Sequence, residues 1–432
     1  MFGRREDPRV YVHRVTIQNL RSFREVVVPL ATPGANGGAA AEYPNVTLLV
    51  GDNGAGKTTV LRSIALAALG PIMVSGSGYV PFSLVRHVSG QRSAEAVVSA
   101  EVELHEQDGA VEGQFETAAL RIRPTAGFVD RFVAMDTPAW SELMWADRSP
   151  AFFVVGYGAS RAVDPHARSS ESSRSKSRML RYGRVAGLFE EGIVLLPLAA
   201  WLPELAARDP ARFAEVVGLV NVLLEPHGEL LDHLVEGEPM FRVGSSVLPF
   251  QALSDGYRAY IGWVGDLLYH LCMGAPAAMP LVQGRGVVLV DEVDLHLHPA
   301  WQRHVMPTLS RALPNLQFVF TSHSPLVVGS LYAVNVRVLD AMEVGSAVET
   351  VVSTSRAEVY GLSADQILTG GHFGLRTTRV ESFDRKLQQV ASKARSGDAD
   401  AALHLMRLVS LGGAALDESV AAVPRPTVPG AS

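Results

Sequence analysis

The chain has 432 residues, 47% of them hydrophobic and 19% charged, which is enough to bury a large core in one elaborate domain or two closely joined lobes and excludes a fibrous or mainly disordered protein. The formal net charge of −6 excludes nucleic-acid binding through the field of the whole molecule and leaves only a local basic patch for it. Cys272 is the only cysteine, so an intramolecular disulfide and a thiolate zinc cluster are excluded and a reducing compartment fits.

In chain order, MFGRREDPRV carries charges with no apolar segment behind them and does not read as a secretion signal. Val12 to Ile17 alternates, Glu25 to Val28 is β-rich, and Val46 to Val50 is a continuous apolar run of the kind buried on both faces of a sheet. ATPGANGGAAAEYP between them is a loop by composition. GDNGAGKTTV, Gly51 to Val60, leads into a helix that reaches Leu69. Ala96 to Leu104 and Ala118 to Arg123 then alternate like paired strands about a charged turn at Gln107 to Gly113. Phe152 to Val155 is a short strand ending at Gly156-Tyr157-Gly158.

Ser160 to Arg184 is Ser/Arg-rich and predicts a mobile loop. It carries Arg161, Arg168, Arg174, Lys176, Arg178, Arg181 and Arg184 against Asp164 and Glu171, which reads either as a solvated insertion or as a grip on DNA phosphates or a partner protein. No aromatic residue precedes Tyr182 there, so stacking on single-stranded bases is not supported. Helical periodicity dominates from Gly187 to about Leu271, with one strand-like piece near Met240 to Val247. The apolar stretch Gly192 to Trp201 is too short to span a bilayer, and the chain reads as soluble and cytoplasmic. Gly286 to Val290 and Leu316 to Phe320 are buried strands flanking an amphipathic helix around Trp301 to Leu313. Short strands and helices follow Leu331, and AAVPRPTVPGAS closes the chain as a frayed tail.

Three segments carry chemistry. The spacing Gly-x4-Gly-Lys-Thr between a strand and a helix predicts a phosphate-binding loop over Asp52, Asn53, Gly54, Ala55, Gly56, Lys57, Thr58 and Thr59. Gly51, Gly54 and Gly56 let backbone N–H groups turn inward on the β-phosphate. Lys57 reaches the β- and γ-phosphates, Thr58 ligates Mg²⁺, and the helix N-terminus adds its positive dipole end, so ATP and Mg²⁺ are the expected ligands. VVLVDEVDLHLHP places Asp291 at a strand end where it can hold the Mg²⁺ shell and Glu292 where it can deprotonate water. FVFTSHSPL ends a third buried strand near His323, whose imidazole can accept or donate toward the γ-phosphate.

The order of GDNGAGKTT, LSDG, VDEVDLHLHP and TSHS resembles the ABC-type ATPases of the RecF, SMC and overcoming-lysogenization-defect (OLD) branch. The resemblance implies an α/β P-loop NTPase fold: an ABC-type ATPase head with a mixed sheet, an antiparallel β lobe and a helical signature lobe. LSDG, Leu253 to Gly256, matches the signature that caps the γ-phosphate held by a second subunit, so Ser254 and Gly256 would act in trans in a head-to-tail homodimer. Asp255 and Tyr257 depart from the usual Gly and Gln of that motif. HRVTIQNLRSF resembles the strand pair that flanks the adenine, where Arg21 is either a nucleotide contact or a strand-turn anchor. Tyr157 stands about where the glutamine loop of the family lies. The resemblance assigns Asp294, His296 and His298 to the loop that links the two active sites across the dimer, with a zinc site as the weaker alternative.

The resemblance implies residues 1–159 as an N-terminal ATPase lobe, 160–186 as the basic loop, 187–271 as the helical lobe, 272–355 as the C-terminal ATPase lobe, 356–411 as helices and 412–432 as a disordered tail. The roughly 190 residues between Thr59 and the signature lack sustained heptads, which argues against a coiled-coil arm. Only about a hundred residues follow His323, and Asp398 and Asp400 lie in helical sequence, so an appended TOPRIM nuclease is not expected. RVAGLFEEGIVLLPLAAWL and VYGLSADQILTGGHFGLRTTR are similar to segments of stand-alone ATPases of bacterial defence and DNA-maintenance systems, including the Septu-type ATPase that works with a separate nuclease. Double-stranded DNA and a separate nuclease or other effector are the partners this implies, with no membrane. The alternatives are a RecF-like DNA-repair clamp that uses ATP as a conformational ligand and a transporter nucleotide-binding subunit.

Overall fold

The computed structural model describes residues 11–34, 42–75, 77–88, 90–103, 115–135, 137, 140–141, 154–163, 181–225, 227–274, 279–344 and 347–410. The chain divides into two compact units, one up to Ile367 and one from Leu368 onward. The charged turn near Gln107 to Gly113, the middle of the basic loop and the tail beyond Ser410 lie outside the described residues.

Two sheets organise the first unit. An antiparallel sheet is built from β1 (Tyr11–Leu20), β2 (Phe23–Pro29), β4 (Ala96–Glu103), β5 (Phe115–Pro124) and β6 (Asp130–Ala134), in the order β2-β1-β4-β5-β6. The central sheet contains β3 (Val46–Gly51), β7 (Val154–Tyr157), β11 (Gly286–Val290), β12 (Leu316–Thr321), β13 (Val336–Val344) and β14 (Ala347–Thr354). Its order is β14-β13-β3-β12-β11-β7, parallel except for the antiparallel edge strand β14. β3, β7, β11 and β12 are buried along their whole length, which is why they read as unbroken apolar runs rather than alternating ones.

Helix α1 (Lys57–Ala68) is buried on nearly every side, its VLRSIALAA sequence packing against residues of both sheets in one core that includes Val15, Ile17, Leu49, Ile64, Val98, Leu120 and Leu289. A helix apolar all round needs such a sandwiched place. The two sheets are also joined by one side chain: buried Gln317 on β12 accepts from Val12 N–H at 2.8 Å and donates to the carbonyls of Val12 at 2.6 Å and Ala31 at 2.8 Å. Val12 stands where the β1–β4 register shifts, so the amide serves backbone groups at an irregularity in the ladder.

The helical region contains α2 (Leu202–Arg208), α3 (Pro210–Leu224) and the long α4 (Asp255–Gly274), buried from Tyr260 to Leu271. It holds more β-structure than the strand-like piece expected near Met240. β8 (Glu229–Val235), β9 (Glu238–Val243) and β10 (Ser246–Pro249) form a three-stranded antiparallel meander. Glu236 and Gly237, both at positive φ (53° and 83°), turn the first hairpin with the backbone twist that suits two-residue loops. After β11 come α5 (Pro299–Gln302) and α6 (Val305–Ala312). In the second unit, α7 (Glu381–Arg395) packs with α8 (Ala399–Ser410), and an Arg376–Asp384 ion pair of 3.1 Å holds the segment before α7.

Candidate functional site

β3 delivers the glycine loop to the C-terminal edge of the central sheet, and α1 begins at Lys57. Gly54 (φ 81°) and Gly56 (φ 100°) take the left-handed backbone the turn requires. A Cβ at Gly56 would lie 2.7 Å from the buried Phe23 ring, so the strand-turn of HRVTIQNLRSF is the wall against which the loop is packed. At Gly54 the same position is open. Asp52 accepts Ala55 N–H at 3.1 Å, and Lys57 Nζ donates to the carbonyls of Gly51 (2.8 Å) and Asp52 (3.1 Å). Burial pushes the Lys57 ammonium below its usual range, opposed by Asp291, Glu292, Asp52 and Asp294.

β11 and β12 run parallel in a register that places Val290 beside Phe320, so Asp291 and Thr321 leave the sheet side by side. Thr58 Oγ1 donates to Asp291 Oδ2 at 2.7 Å, and Thr321 Oγ1 donates to Asp291 Oδ1 at 2.6 Å. The Glu292 N–H in turn donates to Thr321 Oγ1 at 2.7 Å. Glu292 has φ 47°, a left-handed conformation that costs a non-glycine residue about 1–2 kcal/mol. Asn53, Gly54, Gly56, Lys57, Thr58 and Thr59 line one cleft together with Asp291, Glu292 and His323; Arg21 and Ser22 close its β1–β2 side. Arg21 also takes a left-handed φ of 49°, and its N–H donates to Leu84 at 2.8 Å, so it is a turn residue and a wall of the cleft at once.

Thr58 Oγ1 and Asp291 Oδ2 are adjacent hard-oxygen donors where the glycine loop meets the carboxylate strand. Mg²⁺ keeps several waters and takes one or two protein oxygens beside substrate phosphates, so this donor pair fits it.

Ser254 and Gly256 do not line this cleft. Ser254 is exposed at the start of α4, and Gly256 packs on the loop after the carboxylates, where a Cβ would lie 3.1 Å from the His296 carbonyl oxygen. Trp301 meets Tyr260 and Tyr257 of α4 with ring centroids at 4.5 and 5.0 Å, fastening that loop to the signature helix. Gln302 donates to the carbonyls of Asp294 (3.4 Å) and Leu297 (2.9 Å) and accepts from Ser324 Oγ at 2.7 Å, so the loop is also tied to the His323 segment. His296 and His298 are exposed. Tyr157 is buried away from the cleft and donates its hydroxyl to Asp266 at 3.1 Å.

The basic-loop reading needs correction at both ends. Arg161 is half-buried and donates to three backbone carbonyls, and Arg181 and Arg184 are 1% and 3% exposed. These three are therefore not the solvent-facing cations that the sequence suggests. The other four cations of that stretch lie outside the described residues. Sequence reasoning also passed over Thr321 and Gln302. Thr321 could have been found as the hydroxyl at the end of the strand neighbouring the Asp-Glu strand; nothing local marks Gln302.

Residues 188–329 match the family model described as "AAA domain, putative AbiEii toxin, Type IV TA system", and residues 14–126 match one described as "AAA domain". The chain is similar to a Septu protein PtuA of Bacillus mycoides (strain KBAB4), 23% identical over 87% of this chain and 47% of that protein. It is 35% identical to the "Retron Vc95 probable ATPase" of Vibrio cholerae serotype O1 biovar El Tor over 30% of this chain and 24% of that protein. The chain thus spans less than half the length of these curated relatives. Among solved structures, an SMC head bound to the C-winged helix domain of ScpA aligns with 80% of this chain and 98% of its own at 15% identity and a TM-score of 0.48. With the glycine loop, the strand-end carboxylates and the His323 strand assembled on one sheet edge, the chain has an α/β P-loop ATPase fold and is similar to AAA-domain proteins over residues 14–126 and 188–329.

Proposed function

We propose that the chain binds ATP with Mg²⁺ and hydrolyses it to ADP and phosphate, as the ATPase component of a bacterial anti-phage defence system acting with DNA or a separate effector. The observation that carries this reading is the hydrogen-bonded line from Thr58 through Asp291 and Thr321 to Glu292 at the mouth of the glycine loop. In this reading the loop N–H groups and Lys57 hold the phosphates, Thr58 and Asp291 hold Mg²⁺, and Mg²⁺ when bound neutralises phosphate charge. Glu292 takes the proton of the attacking water, and His323 contacts the γ-phosphate side. Ser254 and Gly256 come from a second copy in a head-to-tail homodimer, which agrees with their place outside the protomer's own cleft. The similarity to Septu and retron proteins supports the defence setting.

The test is the ATPase rate of wild type and Glu292→Gln, with and without double-stranded DNA, alongside nucleotide binding. The variant is expected to bind ATP and to lose about 10²- to 10⁴-fold in turnover, the usual contribution of a positioned base. A wild-type rate in the variant would remove Glu292 as the base. Wild-type turnover at background would favour a clamp that uses ATP only as a conformational ligand. Stimulation by DNA would make DNA the trigger, and indifference to it would make the trigger a protein.

A further inference from the structure

Arg161 lies just past β7, the parallel neighbour of the carboxylate strand β11, and crosses under the turn that follows β11. Its Nη1 donates to the Asp291 carbonyl at 2.5 Å and its Nη2 to the Glu292 carbonyl at 2.8 Å; a weaker Nη1 bond of 3.3 Å reaches Gly158 in its own loop. On the other side of the same turn, Thr321 Oγ1 accepts the Glu292 N–H. The turn is therefore held on both edges, its N–H by a hydroxyl and its two carbonyls by one planar fork. That arrangement encloses the left-handed Glu292, a conformation that persists only where its surroundings over-determine it. A guanidinium can serve two acceptors at once in fixed geometry, whereas an ammonium offers a point charge. Burial lowers the Arg161 pKa to about 10 against the pull of Asp291, Asp294 and Glu292, so the group stays charged at neutral pH.

We propose that Arg161 is a positioning residue for hydrolysis: by clamping the Asp291 and Glu292 carbonyls it sets the turn that aims the Glu292 carboxylate into the nucleotide cleft. This rests on Glu292 being the base. A residue that only pins the loop after β7 would affect stability or nucleotide affinity; one that aims a base acts on the chemical step.

The experiment compares wild type, Arg161→Ala, Arg161→Lys, Glu292→Gln and the Arg161→Ala/Glu292→Gln double variant in the full chain. It measures thermal melting, ATP dissociation constant, kcat and single-turnover hydrolysis with enzyme in excess. Misplacing a reacting group by about 1 Å costs on the order of 100-fold, so Arg161→Ala should lose about that much in kcat and single-turnover rate with ATP affinity nearly unchanged. Arg161→Lys should recover part of the loss, and the double variant should be no slower than Glu292→Gln alone, since both changes act through one carboxylate. The proposal is overturned by a wild-type rate in Arg161→Ala, by a loss that follows ATP affinity rather than kcat, or by a double variant slower than Glu292→Gln. Should Arg161→Ala not fold, Arg161→Lys and Arg161→Gln are judged by the same criteria. Glu292→Gln retaining turnover sinks the base assignment itself. Glu292→Gln inactive with Arg161→Ala active sinks only the role of Arg161.

Discussion

Gly54 and Gly56 occupy the same motif and the same left-handed region, yet their surroundings differ. Gly54→Ala meets open space and should cost only the dihedral penalty, about 1–2 kcal/mol. Gly56→Ala adds a collision with the Phe23 ring and should cost roughly 2–5 kcal/mol in all, with nucleotide binding lost as Phe23 or the loop gives way. Urea denaturation of the two variants separates them, and equal costs would mean that Phe23 is not a rigid wall. The motif names both glycines, but only the fold tells them apart. The same holds for the acid pair: DE at a strand end was legible, while the hydroxyl of Thr321 and the guanidinium of Arg161 that hold it come from a strand and a loop about 30 and 130 positions away.

Among the elements, β12 does two jobs, and they sit at opposite ends of one strand. Thr321 at its C-terminal end serves the site, and Gln317 near its start ties the antiparallel sheet to the central one. Gln317→Leu keeps the volume but leaves the Val12 N–H and the Val12 and Ala31 carbonyls without that partner. Each buried unsatisfied group costs about 1–3 kcal/mol, and the two Val12 groups are buried while the Ala31 carbonyl is part-buried, so the variant should lose at least about 2 kcal/mol. A urea midpoint equal to that of wild type would show that the sheets are held by apolar packing alone. The strands of the central sheet were readable because burial on both faces makes them uniformly apolar. Of the β8–β10 meander only the stretch near Met240 to Val247 was; β8 was not, because ELLDHLV does not alternate strictly and is only partly buried, leaving the Glu236-Gly237 turn as its one local mark.

For the whole molecule, the proposed site is complete only across two copies. Ser254 stands exposed at the start of α4, outside its own protomer's cleft, and in the proposed dimer it would complete the cleft of the other copy. In sedimentation or light scattering, Glu292→Gln with ATP and Mg²⁺ should therefore run at twice the protomer mass, and at the protomer mass without nucleotide. Adding Ser254→Arg should abolish the dimer while ATP still binds each glycine loop. A variant pair that dimerises equally with and without Ser254→Arg would place the interface elsewhere.

Gly-x4-Gly-Lys-Thr, the strand-end Asp-Glu and the Thr-Ser-His-Ser segment are each made by consecutive residues whose local dihedrals and chain direction are already specified, so the ATPase head could be read from the chain alone. Which strands stand side by side could not. The order β14-β13-β3-β12-β11-β7 arises from burying faces far apart in sequence, and it is this order that puts Thr321 beside Asp291 and turns Arg161, by sequence one of several exposed cations, inward onto the Glu292 turn.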